Sequence, residues 1–216
     1  MAKYTPQQRV AYRLKEIAYH IGQLRDLDYS HNELLELIFL KSDNSRLGRL
    51  LGNEVIIRMS SIKLIIFDCE HVLRIPRNGI ASNRVDDWHI PEDVKTWFNN
   101  NAGRFIFGIA ANQGGVSAGY VDNDTACDSL YALAKALGIE TDNAFLCPSL
   151  NSDDIYRLPN TGMIKKIMQN VGASQRQTIL VSSGPCEFDT EKAANTLGCF
   201  YMPSGLLFRC TDRIPE

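Results

Sequence analysis

The chain has 216 residues, 44% of them apolar and 22% charged, with a net charge of -2 at pH 7. This is the composition of an ordinary globular protein long enough for one medium domain with an appendage, or for two small domains. The near-neutral charge does not indicate nucleic acid, and the longest apolar runs are too short to span a bilayer. The N-terminus has no apolar stretch typical of a secretory signal, so we expect a cytoplasmic protein without a membrane partner.

Residues 1–60 predict a helical appendage. Thr5 can cap a helix that has Pro6 at its first position, and apolar residues then recur at helical spacing from Val10 to Leu24. Ser30 and Glu33 fit a capping box before "LLELIFL", a second helix that is apolar on more than one face. We expect this surplus surface to pack against the remaining domain, or to mediate self-association or binding of a protein partner.

From about residue 61 to the C-terminus at 216, short apolar segments alternate with helical ones. "KLIIFD", "RFIFGIAA" and "QTILVSS" are apolar on both faces, as buried parallel strands are. "PEDVKTWFNNN", "DTACDSLYALAKALG", "TGMIKKIMQNVG" and "DTEKAANTLG" predict the helices between and after them. This alternation predicts an α/β domain with a parallel sheet between two helical layers. A ligand crevice then lies beyond the carboxyl ends of the strands, where Asp68 follows the first strand.

Four motifs resemble those of the haloacid dehalogenase (HAD) superfamily. They are "IIFDCEHVL", "IAANQGGVSAGY", "YRLPNTGMIKKIM" and "TILVSSGPCEFDTEKAANTLGC", in the family's order. The second of these motifs resembles that of class III A members, which include histidinol-phosphatase-like, heptose-bisphosphatase-like and polynucleotide 3'-phosphatase-like domains. It implies a three-layer Rossmann-like sheet, with a minimal cap inserted after the first motif.

The resemblance also implies a chemistry. In the family, a first aspartate attacks phosphorus to form an aspartyl-phosphate, and a second one, two residues on, transfers the proton. A hydroxyl and a lysine hold the phosphate oxygens, and Mg²⁺ binds the first aspartate and a fourth-motif aspartate. By this match Asp68 is the candidate nucleophile and metal ligand and Glu70 the candidate acid/base. Asp189 is the second candidate metal ligand.

The remaining candidates are substrate-binding residues, and here too the match is incomplete. Asn112 and Gln113 match the second motif, and Arg157 precedes the position of the family's lysine. However, Ala111 replaces the phosphate-binding hydroxyl and Leu158 replaces the lysine. Ser182 and Ser183 replace the fourth motif's Gly-Asp, and Glu70 replaces an aspartate.

These departures favour a catalytically impaired protein that acts as a binding or assembly module and can still hold a phosphorylated ligand. The alternative is an active Mg²⁺-dependent phosphomonoesterase acting on a phosphosugar or a nucleic-acid 3'-end. Glu187 or Asp189 would support it by reaching a metal at Asp68. We expect no zinc site, because Cys147 has no partner cysteine or histidine before the third motif and the six cysteines contain no C-x-x-C pair. We also expect Asp68, Ala111 and Ser183 to cluster at the ends of adjacent strands.

Overall fold

The structure is a computed structural model that describes residues 62–77, 84–183 and 187–210. The helices predicted for residues 1–60, and with them the proposed domain boundary, lie outside the described residues. The described part contains seven strands and five α-helices. The strands are β1 (Leu64–Phe67), β2 (Ile75–Pro76), β3 (Trp88–His89), β4 (Ile106–Asn112), β5 (Ala144–Cys147), β6 (Thr178–Ser182) and β7 (Phe200–Pro203). The helices are α1 (Glu92–Asn101), α2 (Asn123–Ala136), α3 (Gly162–Val171), α4 (Glu187–Leu197) and α5 (Ser204–Cys210).

Five of the strands form one parallel sheet in the order β5-β4-β1-β6-β7. The three strands predicted from apolar runs, β1, β4 and β6, are therefore adjacent, with β1 in the middle. All four residues of β1 are buried, since helices cover both faces of the sheet. The α/β architecture predicted from the alternating pattern is confirmed.

Local signals begin and end the helices around this sheet. Asp122 caps α2, because its Oδ1 accepts a hydrogen bond from the backbone N–H of Thr125 at 2.8 Å. Gly172 ends α3 in the left-handed conformation, with φ of 63°, which a residue without a Cβ adopts at little cost.

Alternate residues of β1 enter two separate cores. Leu64 and Ile66 belong to one cluster with α3 and α4, whose other buried members are Ala110, Cys147, Leu158, Met163, Ile164, Ile167, Met168, Leu180, Ala193 and Ala194. On the opposite face Phe67 lies in an aromatic cluster, 5.9 Å between ring centroids from Trp97 and 5.2 Å from Phe98. Both clusters place apolar area out of water, so the sheet is stabilised from both sides.

A short antiparallel hairpin follows the first sheet strand. Ile75 pairs with His89 and Pro76 pairs with Trp88, in β2 and β3. This is a small insertion, as the resemblance implied. Among the described residues, no helix is long and apolar enough to cross a membrane.

Gly108 sets how closely α3 approaches β4. A Cβ at this position would lie 2.8 Å from Cγ2 of Ile167 and 3.2 Å from the backbone oxygen of Asn143. We expect Gly108→Ala to lower the free energy of unfolding by about 1–3 kcal/mol through overpacking, measured by urea denaturation. The matched control is Gly205→Ala in α5, where a Cβ meets no atom within 4 Å. Equal stability of the two variants would show that α3 shifts freely.

Candidate active site

The candidate site lies where β1, β4 and β6 end side by side. Asp68 follows β1 and is only 5% exposed. Its backbone N–H donates to the carbonyl of Val181 in β6 at 2.9 Å, which extends the strand pairing by one residue. Its carboxylate accepts a hydrogen bond from the N–H of Cys69 at 2.7 Å and one from the hydroxyl of Ser182 at 3.4 Å. Asp68 is thus a buried carboxylate at the end of the central strand.

A tight turn follows Asp68. His71 has a φ of 60°, and its N–H donates to the carbonyl of Arg74 at 2.8 Å. The N–H of Leu73 donates to the carbonyl of Cys69 at 3.0 Å. The hydroxyl of Ser183 donates to the carbonyl of His71 at 2.9 Å. Ser183, which stands where the resemblance places a metal-binding aspartate, therefore connects this turn to the end of β6.

Within this turn Glu70 is paired with Arg74. One carboxylate oxygen, Oε1, accepts from Nε of Arg74 at 2.9 Å and from Nη2 at 2.5 Å. The side chain of Arg74 is 3% exposed and that of Glu70 is 19% exposed. A charge-assisted contact of this kind is strong because both partners are largely removed from water. The carboxylate in the acid/base position is therefore held by an internal cation.

Arg74 extends this pair into the helical layer and the hairpin. Its Nη1 donates to the hydroxyl of Ser129 in α2 at 2.7 Å, and Nε1 of Trp88 donates to the same hydroxyl at 3.0 Å. The guanidinium carbon lies 5.8 Å from the centroid of the Trp88 ring, within the range of a cation–π contact. Arg74 was not predicted as a site residue, because an arginine near a turn carries no signal of burial in the sequence.

Burial raises the pKa of the Cys69 thiol well above its usual range. The thiol is therefore protonated at neutral pH, and the thiolate is the form that reacts. Although Cys69 lies between the two candidate catalytic carboxylates, it does not replace either of them as a nucleophile.

The second-motif amide connects two loops. Nδ2 of Asn112 donates to the carbonyl of Leu158 at 3.0 Å, and Oδ1 of Asn112 accepts from the N–H of Leu158 at 2.9 Å. Both polar ends of the side chain are thus used to hold the backbone of the third motif. The backbone N–H of Gln113 donates to the carbonyl of Cys147 at 2.8 Å, which continues the pairing of β4 with β5.

A small cavity lies beside Glu70. It has a volume of about 10 Å³ and is lined by Cys69, Glu70, Arg74, Ala111, Asn112, Gln113, Ala126, Leu130 and Leu146. Such a volume holds at most about one water molecule. Glu70 and Ala111 therefore border the same small space.

In the third motif, a buried leucine stands where the resemblance places a lysine, and the neighbouring arginine is bound to a backbone carbonyl. Leu158, in the position of the family's lysine, is 3% exposed and belongs to the cluster around Ile66 and Met163. Arg157 is half-buried, and its Nη1 donates to the carbonyl of Ser149 at 2.6 Å. Lys165 and Lys166 are both exposed on α3, as expected for a solvated helix face.

Among the described residues, the donor set differs from the Mg²⁺ site that the resemblance implies. Asp189 is half-buried near the start of α4, and Ser182 and Ser183 supply hydroxyl groups in the fourth motif. Within the described ranges, no group of three or more His, Cys, Asp or Glu side chains is arranged to hold a metal ion. Mg²⁺ requires a near-ideal octahedron of hard oxygen ligands. Asp68 together with the hydroxyls of Ser182 and Ser183 is a weak set of oxygen ligands for this ion.

The buried aspartate at the end of the central strand, the parallel sheet and the small hairpin insertion define the HAD-superfamily phosphatase fold. A comparison with protein families matches residues 63–183, more than half of the chain, to polynucleotide kinase 3 phosphatase. The chain belongs to this family. A comparison with curated proteins found no significant match.

Solved structures show the same fold. One is a D,D-heptose 1.7-bisphosphate phosphatase from B. bronchiseptica in complex with magnesium and phosphate, with a TM-score of 0.56 and 21% identity. The match covers 72% of this chain and 89% of that chain. Another is a Mesorhizobium loti protein described as HAD-like, with a TM-score of 0.55, 13% identity, and coverage of 72% of this chain and 88% of that chain.

Proposed function

We propose that the chain is a catalytically impaired protein of the HAD phosphatase fold that acts as a binding or assembly module. The observation that carries this proposal is the ion pair of Glu70 with Arg74. An acid/base group must exchange a proton with the leaving oxygen and then with water. The Glu70 carboxylate instead receives two hydrogen bonds from a guanidinium that is itself anchored on Ser129.

The other changed positions support the same conclusion. Losing a single transition-state donor typically lowers the rate by about a hundred- to a thousandfold. Here a hydroxyl, a lysine and a metal-binding carboxylate are replaced by Ala111, Leu158 and Ser183. Even without additivity, these losses together leave little ordinary turnover.

The alternative is an active Mg²⁺-dependent phosphomonoesterase working through an aspartyl-phosphate. The observation that favours it is Asp68, which remains buried at the end of the central strand. By analogy with the family and with the heptose-bisphosphate phosphatase, its substrate would be a nucleic-acid 3'-end or a phosphosugar. A carboxylate from Glu187 or Asp189 would then have to join Asp68 around the metal.

Two further proposals concern partners. The module would bind a phosphorylated ligand without hydrolysing it, or would bind a protein partner or a second copy through the predicted helices of residues 1–60. We also propose a cytoplasmic location, from the sequence pattern alone.

The test is hydrolysis of an aryl phosphate and of a 3'-phosphorylated oligonucleotide by the full chain, with millimolar Mg²⁺ or with EDTA. We expect the wild-type protein to release phosphate no faster than Asp68→Asn, which removes the nucleophile and keeps its shape. Mg²⁺-dependent turnover that disappears in Asp68→Asn would establish the alternative. Binding of the 3'-phosphorylated oligonucleotide, measured in parallel, separates a ligand-holding module from one that assembles through protein contacts.

A further inference from the structure

The strand β5 ends the sheet on one side. It pairs with β4 along one edge, and no strand in the described part of the chain pairs with its other edge. In a parallel ladder, alternate residues direct their backbone N–H and C=O groups to either side. An edge strand therefore presents a row of backbone donors and acceptors to which an extended peptide can pair.

A groove runs along this edge between α2 and α3. It has a volume of about 790 Å³ and is lined by Asn123, Cys127, Leu130, Tyr131, Glu140, Thr141, Asp142, Asn143, Ala144, Phe145, Leu146, Pro148, Lys166 and Asn170. Phe145 and Leu146 of β5 are half-buried within it, and Tyr131 of α2 is 43% exposed. The groove thus combines a strand edge with apolar surface left exposed to water.

The described residues that line this groove carry a net negative charge. They include two carboxylates, Glu140 and Asp142, and one cation, Lys166. Asp124 and Asp128 lie close to Cys127. Burial is the main cause of the raised pKa of the Cys127 thiol, and the negative charges of these two carboxylates are the next causes. The groove therefore attracts cationic ligands and repels polyanions.

We propose that this groove binds an extended, cationic segment of a partner protein, which adds to the sheet as a strand beside β5. Backbone pairing would supply affinity, the exposed apolar side chains would contact alternate residues of the segment, and the carboxylates would select its lysines or arginines. A second copy of this chain fits less well, because a two-fold pairing of β5 strands brings two acidic grooves together. The groove shares Leu130 and Leu146 with the small cavity beside Glu70, but neither Asp68 nor Glu70 lines it, so the proposal holds whether or not the Asp68 site is catalytic.

The experiment uses the full chain and a capped synthetic peptide of about six residues that alternates lysine with valine, long enough to cover β5. The readout is alkylation of Cys127 by N-ethylmaleimide at low salt, quantified by peptide mapping. Cys199 is the internal reference, because it is also half-buried but does not line the groove. We expect Cys127 alkylation to slow about tenfold when the peptide is at about ten times its Kd, with Cys199 unchanged. Calorimetric titration of the same peptide measures binding independently of thiol reactivity.

Two control peptides separate the contributions. One replaces lysine with glutamate, and the other replaces the valines with proline, which cannot donate to a strand ladder. We expect neither to protect Cys127. On the protein, Glu140→Gln with Asp142→Asn removes the two carboxylates that line the groove and should weaken binding at least about tenfold, as expected when close charge pairs are lost. The matched double variant Asp86→Asn with Asp153→Asn removes two exposed charges that do not line the groove and should bind normally.

Several results would overturn the proposal. Absence of both calorimetric binding and Cys127 protection at low salt would exclude a cationic strand. If the glutamate peptide bound as tightly as the lysine peptide, selection by charge would be excluded. If the proline peptide bound as tightly, pairing with β5 as a strand would be excluded. Concentration-dependent dimerisation that protects Cys127 without peptide would assign the groove to a second copy. None of these outcomes depends on phosphatase activity, which the comparison with Asp68→Asn tests separately.

Discussion

Replacing Arg74 with alanine is expected to destabilise the domain by about 3 kcal/mol, near the lower end for breaking a buried ion pair. The substitution leaves the Glu70 carboxylate without its guanidinium partner and leaves the Ser129 hydroxyl without one of its donors. The 19% exposure of Glu70 gives its charge some access to water, which keeps the cost from being larger. For a domain of this size the melting temperature should fall by roughly 6–12 °C.

Urea denaturation of three variants checks this prediction. Glu70→Gln keeps an acceptor for Arg74 and should cost less than Arg74→Ala, because the guanidinium keeps its hydrogen bond to Ser129 and the negative charge of Asp87 still acts on it. The double variant Arg74→Ala with Glu70→Gln should recover part of the loss, which gives the interaction energy of the pair. A loss below about 1 kcal/mol in Arg74→Ala would place this pair among solvated ion pairs and would weaken the case against Glu70 as an acid/base group.

Most of the sheet was predictable because its inner strands have a distinctive pattern. β1, β4 and β6 are apolar on both faces, as strands covered by two helical layers must be, and the helices between them are amphipathic. The edge strands β5 and β7 were not predicted. Each has four residues, as β1 does, but each is only partly buried and lacks the continuous aliphatic run that marks a fully buried strand. The hairpin strands, of two residues each, carry still less signal.

The candidate site was only partly predictable, because its polar contacts join residues far apart in the chain. The order of motifs predicted that Asp68, Ala111 and Ser183 lie at the carboxyl ends of adjacent strands. The pairing of β1 with β4 and β6 agrees with this, with Ala111 inside β4 one residue before its end. The pairing of Arg74 with Ser129 spans 55 residues, and no local pattern indicates it. The bonds of Asn112 to the Leu158 backbone span 46 residues and give that amide a structural role beside the substrate-binding role that we proposed.

Leu158 shows most clearly what a replaced catalytic residue does in the folded protein. Its backbone is still held by Asn112, where the resemblance places the family's lysine, but its side chain is buried with Ile66, Met163 and Ile167. We expect Leu158→Lys to lower the free energy of unfolding by at least about 3 kcal/mol at pH 7, since it buries an unpaired charge. Leu158→Met, which nearly conserves volume, should cost less than about 1.5 kcal/mol.

The pH dependence of stability distinguishes two causes of the loss in Leu158→Lys, a buried charge and a poor fit of the side chain's shape. Burial lowers the pKa of the introduced lysine in the folded state below its unfolded value. Between these two values the unfolded chain binds the extra proton, so stability rises with pH. The stability gap between Leu158→Lys and Leu158→Met should therefore narrow from pH 7 to pH 10 in urea denaturation. A stability difference between the two variants that does not change with pH would indicate a steric cause. A Leu158→Lys variant as stable as the methionine variant would show that the long side chain reaches the crevice, where the cation of an active phosphatase belongs.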